Sequence, residues 1–267
     1  MHFPTKPLLE KWGVEIDFNL NGLTDEMQPY LNQLLIDHEL LLFRNQDLND
    51  EALYYITTSF GEPWHRGREL NNRIGHTQAT DGNHPYIEVV SESGTAGTFA
   101  IPWHIDVIHT SSQELPNRWL YCTELQGNID HPGTDWMNTR LKHHPDVDFS
   151  YYHRKNAAHQ VTYGVPYMPT PITRPCINKH PRDREETFLC DEQFTIHLEG
   201  MDKQSGLAYI SDTIEHMTKS PGMLYSHTWR VGDIIIYDNL CTMHRRGSQV
   251  EGKRRLKRMT WDQDWPE

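Results

Sequence analysis

Two stretches near the N-terminus place apolar residues at helical spacing. In "TDEMQPYLNQLLIDHELLLF", Thr24 stands at the N-cap, Asp25 and Glu26 fall in the first turn, and Leu31, Leu34, Leu35 and His38 share a face. This predicts a helix feeding a strand over residues 40–43. "LNDEALYYITTSFGE" repeats the logic, with Asn49 or Asp50 as cap, Leu53, Ile56 and Phe60 as the buried face, and Gly61 as the stop.

Beyond this point the period changes. Short runs rich in Val, Ile, Tyr, Trp and Thr, such as "YIEVV", "RWLYCTEL" and "HQVTYG", alternate with Gly, Pro, Asn and His clusters and read as strands with long connections. A late helix is predicted around residues 205–219. "GMLYSHTWRVGDIIIYDNLCTMHRRGS" and "KRRLKRMTWD" then read as successive strands joined by turns at "VGD" and "DN". Many strands, with helices gathered early and once late, predict a mainly β chain with flanking helices, built as an antiparallel sandwich or jelly-roll barrel. The sequence lacks the strand–helix alternation of a doubly wound sheet, and it lacks GxGxxG, GxxxxGK[ST] and GxSxG patterns. Nucleotide-binding and serine-hydrolase chemistries lose their main supports.

Composition narrows the picture. At 267 residues, one elaborated domain over 1–267 is the working expectation, and 36% hydrophobic with 23% charged residues marks a globular chain. A net charge of -12 argues against a general binder of nucleic-acid backbones, which needs a dense cationic face. The cysteines, Cys122, Cys176, Cys190 and Cys241, form no CxxC pair and fit reduced thiols in a cytoplasm. The opening residues lack an apolar signal core, and no later run reaches the roughly 18 apolar residues of a membrane span. A soluble, cytoplasmic protein without nucleic-acid or membrane partners is expected.

Candidate chemistry begins at "IPWHIDVIH". In an extended segment, residues two apart point to one side, so His104 and Asp106 can present an imidazole and a carboxylate to one point. With 17 histidines in the chain, this triplet alone is weak. "GDIIIYDNLCTMHRRG" adds a strongly apolar strand, a turn and then His244, and a jelly roll can bring that hairpin beside the first strand. Two histidines and a carboxylate make a facial triad suited to ferrous iron, with coordination positions left open. In the basic run "GKRRLKR", Arg254, Leu256 and Arg258 share one strand face, and a guanidinium pointing inward there could grip a carboxylate. Arg255 and Lys257 on the other face read as a solvated edge.

"PWHIDVIHT", "DNLCTMHRRGS" and "RRLKRMTWD", in this order, resemble the taurine dioxygenase (TauD/TfdA) family of Fe(II)- and 2-oxoglutarate-dependent dioxygenases. The resemblance extends upstream to "LLFRNQDLNDEALYYITTSFGE" and to the segment before His244, covering residues 35–262. It implies a double-stranded β-helix, that is, a cupin-like jelly roll, with Fe(II) on His104, Asp106 and His244, and 2-oxoglutarate and O2 as cosubstrates. It also implies an arginine on the far carboxylate of 2-oxoglutarate, which by phase is Arg254. Arg258 either helps it or grips an anionic substrate group, and Arg255 is the rival if the loop after His244 differs by one residue. "HPGTDWMN" resembles the family's Gly-x-Thr-x-Trp segment in shortened form, which makes Thr134 a second donor to that carboxylate. The implied activity is oxidation, chiefly hydroxylation, of a small anionic or amino-acid-like substrate with release of succinate and CO2. Halogenating relatives replace the Asp106 carboxylate with a small residue, so its presence favours hydroxylation or a related oxidation. The family leaves room for a homo-oligomer.

Two other readings use the same triad: a non-catalytic cupin-like module holding zinc or nickel, and a zinc-dependent hydrolase. Both leave the inward arginine without a job, and a structural site tends to be closed. His65 in "GEPWHRGREL" falls where relatives often contribute a substrate contact, although a loop histidine in a chain this rich in His more often reads as a surface residue. His109, three beyond Asp106, is expected on the opposite face and not as a ligand. Trp103 and Trp136 read as core or as walls of the site, and His143 and His144 as an exposed loop.

Overall fold

The computed structural model describes residues 3–65, 84–91, 99–110, 115–126, 133–162, 170–247 and 252–263. Its larger sheet has eight strands: Thr5–Pro7 (β1), Val14–Ile16 (β2), Leu40–Phe43 (β3), Gly61–Pro63 (β4), Glu88–Ser91 (β5), Asn117–Gln126 (β7), Ile234–Tyr237 (β15) and Lys253–Gln263 (β17). They run in the order β1-β2-β3-β15-β7-β17-β4, with β5 also on β17, and all pairs are antiparallel except β2 with β3. The smaller sheet has the order β14-β8-β16-β6, from Leu224–His227 (β14), Thr134–Asn138 (β8), Thr242–Arg246 (β16) and Ile101–His104 (β6). Two accessory sheets stand beside them. Asn156–His159 (β9) lies between Ile172–Pro175 (β10) and Thr195–Leu198 (β13), and Ile177–Lys179 (β11) pairs with Glu186–Phe188 (β12).

Three apolar clusters explain the layering. Between the sheets lie Leu40, Leu42, Leu120, Cys122, Ile235, Tyr237 and Leu256 from the larger sheet, with Trp136, Met223 and Trp229 from the smaller one and its flanks. The opposite parity of the large sheet, Leu41, Phe43, Trp119, Tyr121, Ile234, Ile236, Met259 and Trp261, packs outward against Gln28–His38 (α1) and Asp50–Thr57 (α2). The outer face of the small sheet, with Trp103, Met137 and Met243, is covered by Lys203–Thr218 (α3) and the accessory strands. Strand β15 reads Ile-Ile-Ile-Tyr without alternation because both of its faces are buried. Each fully buried aliphatic side chain of this kind contributes roughly 1.5–3 kcal/mol of burial free energy. This is the jelly roll that the element pattern predicts.

Several boundaries differ from expectation. Helix α1 begins at Gln28 after Met27, without a side-chain cap, and Thr24 instead accepts the Met27 N–H in a preceding turn. A helix begun at Asp25 would put Pro29 where an N–H is needed, whereas a start at Gln28 leaves Pro29 in the first turn, where none is. Helix α2 is capped by Asn49 as expected, but it stops at Thr57. The Thr57 and Thr58 hydroxyls turn back to the Leu53 and Tyr55 carbonyls, and Gly61 opens β4. The strand expected within "HQVTYG" lies upstream at β9, and Tyr163 and Gly164 fall outside the described residues. His144 is buried, between Ser220 Oγ and the Asn138 carbonyl, each at 2.8 Å, and is no exposed loop residue. Among the described residues, no helix is long and apolar enough to cross a membrane.

Candidate metal centre

Strand β6 ends at His104, and residues 105–110 turn away from it. Asp106 therefore owes its position to a turn and not to strand alternation. The turn is pinned from two sides. Asn239 accepts the Asp106 N–H at 3.1 Å and donates to its carbonyl at 2.9 Å, while Asp191 accepts the Ile105 N–H at 3.1 Å. Arg174 donates to the Ile108 and Thr110 carbonyls further along. Val107 takes φ 54, a left-handed conformation unusual for a β-branched residue, which such pinning can hold.

The distal histidine arrives by register. His244 on β16 stands directly opposite His104 on β6, and the two rings are 4.1 Å apart between centroids. One ligand atom each from His104, Asp106 and His244 lies within 4.8 Å of the others, and all three residues are buried.

The surroundings set protonation states. Burial pushes the Asp106 carboxyl up, but Arg118, with Nη1 at 3.2 Å, and the neighbouring His244, His104 and Arg258 hold it well below the usual carboxylate range. Tyr237 donates to the second carboxylate oxygen at 2.7 Å, and burial beside Asp106 keeps that phenol protonated. Burial lowers both histidines, His244 further because His104 adjoins it. An ionised carboxylate with two neutral imidazoles is the state a divalent metal requires. His104 Nδ1 lies 3.0 Å from the Pro102 carbonyl, which can only accept, so Nδ1 carries the proton and Nε2 keeps its lone pair. Trp136 stacks on the His244 ring at 5.9 Å and walls the site, while Trp103 faces the outer cluster under Arg245.

Arg254 is buried, and among the described residues its Nη1 has no hydrogen-bond partner. Burial first, and Arg246 second, bring its pKa down to about 10, still high enough to stay charged at neutral pH. Arg255, on the opposite strand face, is only half-buried. Thr134 lies two residues before Trp136 on the same face, and its hydroxyl accepts from Trp229 at 2.9 Å. Arg258 shares the inward face of Arg254 and forms a two-bond ion pair with Glu88. His65 is exposed and lies edge-on to Tyr86 at 5.4 Å, outside the three-residue cluster. His109 is buried against Phe194 and is no member of that cluster.

Arg118, Tyr237, Asn239, Asp191 and Glu88 escaped sequence reasoning. A charged residue opening the apolar run "RWLYCTEL" was the available signal for Arg118, and the "YDN" turn for Tyr237 and Asn239. A second cluster, His180, Asp238 and Cys241, is a poorer metal site. Asp238 already accepts from His180 Nε2 at 2.9 Å and from the Leu240 N–H, and burial keeps the Cys241 thiol protonated.

A family model described as "Taurine catabolism dioxygenase TauD, TfdA family" matches residues 4–260. The chain belongs to the TauD/TfdA family. Among curated TauD/TfdA-like relatives, it is 34% identical over 91 residues to the alpha-ketoglutarate-dependent 2,4-dichlorophenoxyacetate dioxygenase of Burkholderia sp. (strain RASC). That match covers 34% of this chain and 30% of the relative, and the chain spans about 30% of the length of the first curated relatives it matches. The fold is similar to that of a putative alpha-ketoglutarate-dependent taurine dioxygenase from Burkholderia xenovorans, with TM-score 0.76, 21% identity, and 98% and 93% of the two chains covered. It is also similar to AAD-2 in complex with Mn(II) and N-oxalylglycine, with TM-score 0.79, 18% identity, and 100% and 99% covered.

Proposed function

We propose that residues 1–267 form one Fe(II)- and 2-oxoglutarate-dependent dioxygenase domain that acts on a small molecule in the cytoplasm. The observation that carries this reading is the convergence of buried His104, Asp106 and His244, in metal-competent protonation states, inside a barrel that also buries the cationic Arg254. Membership of the TauD/TfdA family supports it. A lone metal-binding module or a zinc hydrolase has no use for a buried guanidinium awaiting a counter-charge.

In this reading His104, Asp106 and His244 hold the iron. Arg254 and Thr134 hold the far carboxylate of 2-oxoglutarate, with a planar fork and a hydroxyl suited to it. Bound iron, 2-oxoglutarate and O2 supply the oxidising chemistry, which releases succinate and CO2 and chiefly hydroxylates the substrate. Arg118 and Tyr237 fix the Asp106 carboxylate in orientation and charge. Trp136 excludes water from the His244 side. Arg258 faces the substrate, and His65 contributes from the rim.

The test is anaerobic addition of Fe(II) and 2-oxoglutarate. A weak visible charge-transfer band is expected, lost in His104→Ala and retained in His143→Ala. A pooled-metabolite screen then reads substrate-dependent succinate and a gain of one oxygen by mass spectrometry. Absence of both the band and stimulated succinate would sink the enzyme reading.

A further inference from the structure

Thr134 and Trp229 meet at one end of the space between the sheets. Thr134 stands opposite His227 in the ladder of β8 with β14, and Trp229 follows two residues after His227. A Cβ at Gly133 would lie 1.7 Å from the His227 carbonyl oxygen, so glycine is what lets the chain ahead of Thr134 come this close to β14. Both side chains are buried, and the Trp229 ring is held edge-on against His227 at 4.7 Å and Trp136 at 6.1 Å. Trp229 Nε1 donates to Thr134 Oγ1 at 2.9 Å. Among the described residues, nothing accepts the proton of that hydroxyl. Thr134 shares a strand face with Trp136, Arg254 shares one with Leu256, and Trp136, Trp229 and Leu256 belong to one cluster between the sheets. Leu256 pairs with Cys122, whose N–H bonds the Asp233 carbonyl in the turn after Trp229. The hydroxyl and the Arg254 guanidinium therefore extend that cluster from two facing sheets.

We propose that Trp229 is a positioning residue for the cosubstrate: its indole N–H occupies the acceptor side of the Thr134 hydroxyl and leaves the O–H to be given to the far carboxylate of 2-oxoglutarate. The inference rests on the dioxygenase reading above. An indole N–H donates and never accepts, whereas a hydroxyl does both and rotates between the two roles. With Trp229 as its donor, the Thr134 oxygen has a lone pair committed, and its proton must point away from the indole. An ionised carboxylate accepts hydrogen bonds and offers none, so the polarity already imposed on Thr134 is the one this group requires. Arg254 supplies the charge. Thr134 supplies a donor whose direction is set before binding, so no rotor has to be ordered when the cosubstrate arrives. Without the indole, the hydroxyl is free to turn a lone pair towards the incoming carboxylate, which repels it.

The test titrates two acids anaerobically into the intact Fe(II)-loaded protein and reads the visible band. One is 2-oxoglutarate, and the other is 2-oxopentanoate, the same 2-oxo acid ending in a methyl group where 2-oxoglutarate has its far carboxylate. Trp229→Phe should weaken 2-oxoglutarate about fivefold and leave 2-oxopentanoate within about twofold. Thr134→Val should weaken 2-oxoglutarate about tenfold, and adding Trp229→Phe to it should cost nothing further, because no hydroxyl is left to orient. Thr134→Ser, which keeps the hydroxyl, should keep the dependence on Trp229. In metal-free protein, the indole N–H resonance that Trp229→Phe removes should shift in Thr134→Val and stay close to its wild-type position in Thr134→Ser. Equal weakening of both acids by Trp229→Phe, unchanged 2-oxoglutarate affinity, additive losses in the double variant, or an indole resonance indifferent to Thr134→Val would overturn the proposal. If Trp229→Phe fails to fold, 3-benzothienylalanine at position 229, which keeps the ring shape and puts sulfur in place of the N–H, serves as the second variant. Absence of any band in wild type overturns the dioxygenase reading and this inference with it, whereas a normal band with unselective losses overturns this inference alone.

Discussion

Tyr237 and Arg118 divide the Asp106 carboxylate between them, one at each oxygen, at 2.7 and 3.2 Å. Such partners orient a ligating group and tune its basicity, and their loss typically weakens metal binding 10–100-fold. Tyr237→Phe is accordingly expected to weaken Fe(II) binding by about that factor in an anaerobic titration. It should cost only about 1 kcal/mol of stability, since Arg118 still balances the charge. Unchanged iron affinity would deny the tyrosine this role. At this scale the sequence was legible in placement, where polar chemistry stands out against an apolar background: His104, Asp106 and His244 converge, and Arg254 is buried. Glu88 and Asp191 were not legible, because a carboxylate acquires its meaning from whatever stands opposite it, and that depends on register.

Among the elements, β17 was the most readable and α1 the least. One unbroken alternation puts Arg254, Leu256 and Arg258 on the inner face and Met259 and Trp261 on the outer one, and the apolar residues pass from the inner set to the outer set beyond Arg258 because the two faces serve different cores. Apolar spacing found the helices, but their ends were set by Pro29 and by the paired threonines Thr57 and Thr58, whose backbone effects outweigh a weak capping preference. The HxD segment gave a correct pairing of His104 with Asp106 for an incorrect reason, since a pinned turn does what strand alternation was expected to do. Asn49 offers a clean measurement. Its side chain caps α2 from an exposed position, so Asn49→Ala should cost about 1 kcal/mol in urea unfolding. Iron affinity should not change, because α2 packs on the outer face of the large sheet.

For the molecule as a whole, the accessory sheet braces the loop that carries Asp106. His159 on β9 meets the Thr195 hydroxyl at 3.2 Å, Thr195 accepts the Asp191 N–H, and Asp191 holds Ile105. Burial, with Arg174 and His109 nearby, lowers the His159 pKa to about 3. In the unfolded chain it returns to about 6.5. Between these values the unfolded state binds the extra proton, so stability is full above about pH 6.5 and is lost as pH falls towards 3. The expected loss from this group is about 2 kcal/mol between pH 6.5 and 5, read from urea midpoints, and His159→Gln should flatten that limb. An unaltered slope in the variant would assign the acid sensitivity elsewhere.

The two halves of the proposed iron and cosubstrate site are also anchored separately. His244 takes its place from the pairing of β16 with β6, and Arg254 takes its place from the pairing of β17 with β7. Each register is set within its own ladder, on either side of the connection at 247–252. Insertions and deletions there can accumulate during divergence without moving the chemistry, whereas a one-residue change inside β17 would swap Arg254 for its outward neighbour. A homology search that fixes the histidine-to-arginine interval would therefore lose true relatives, while one that keeps the strand phase would retain them.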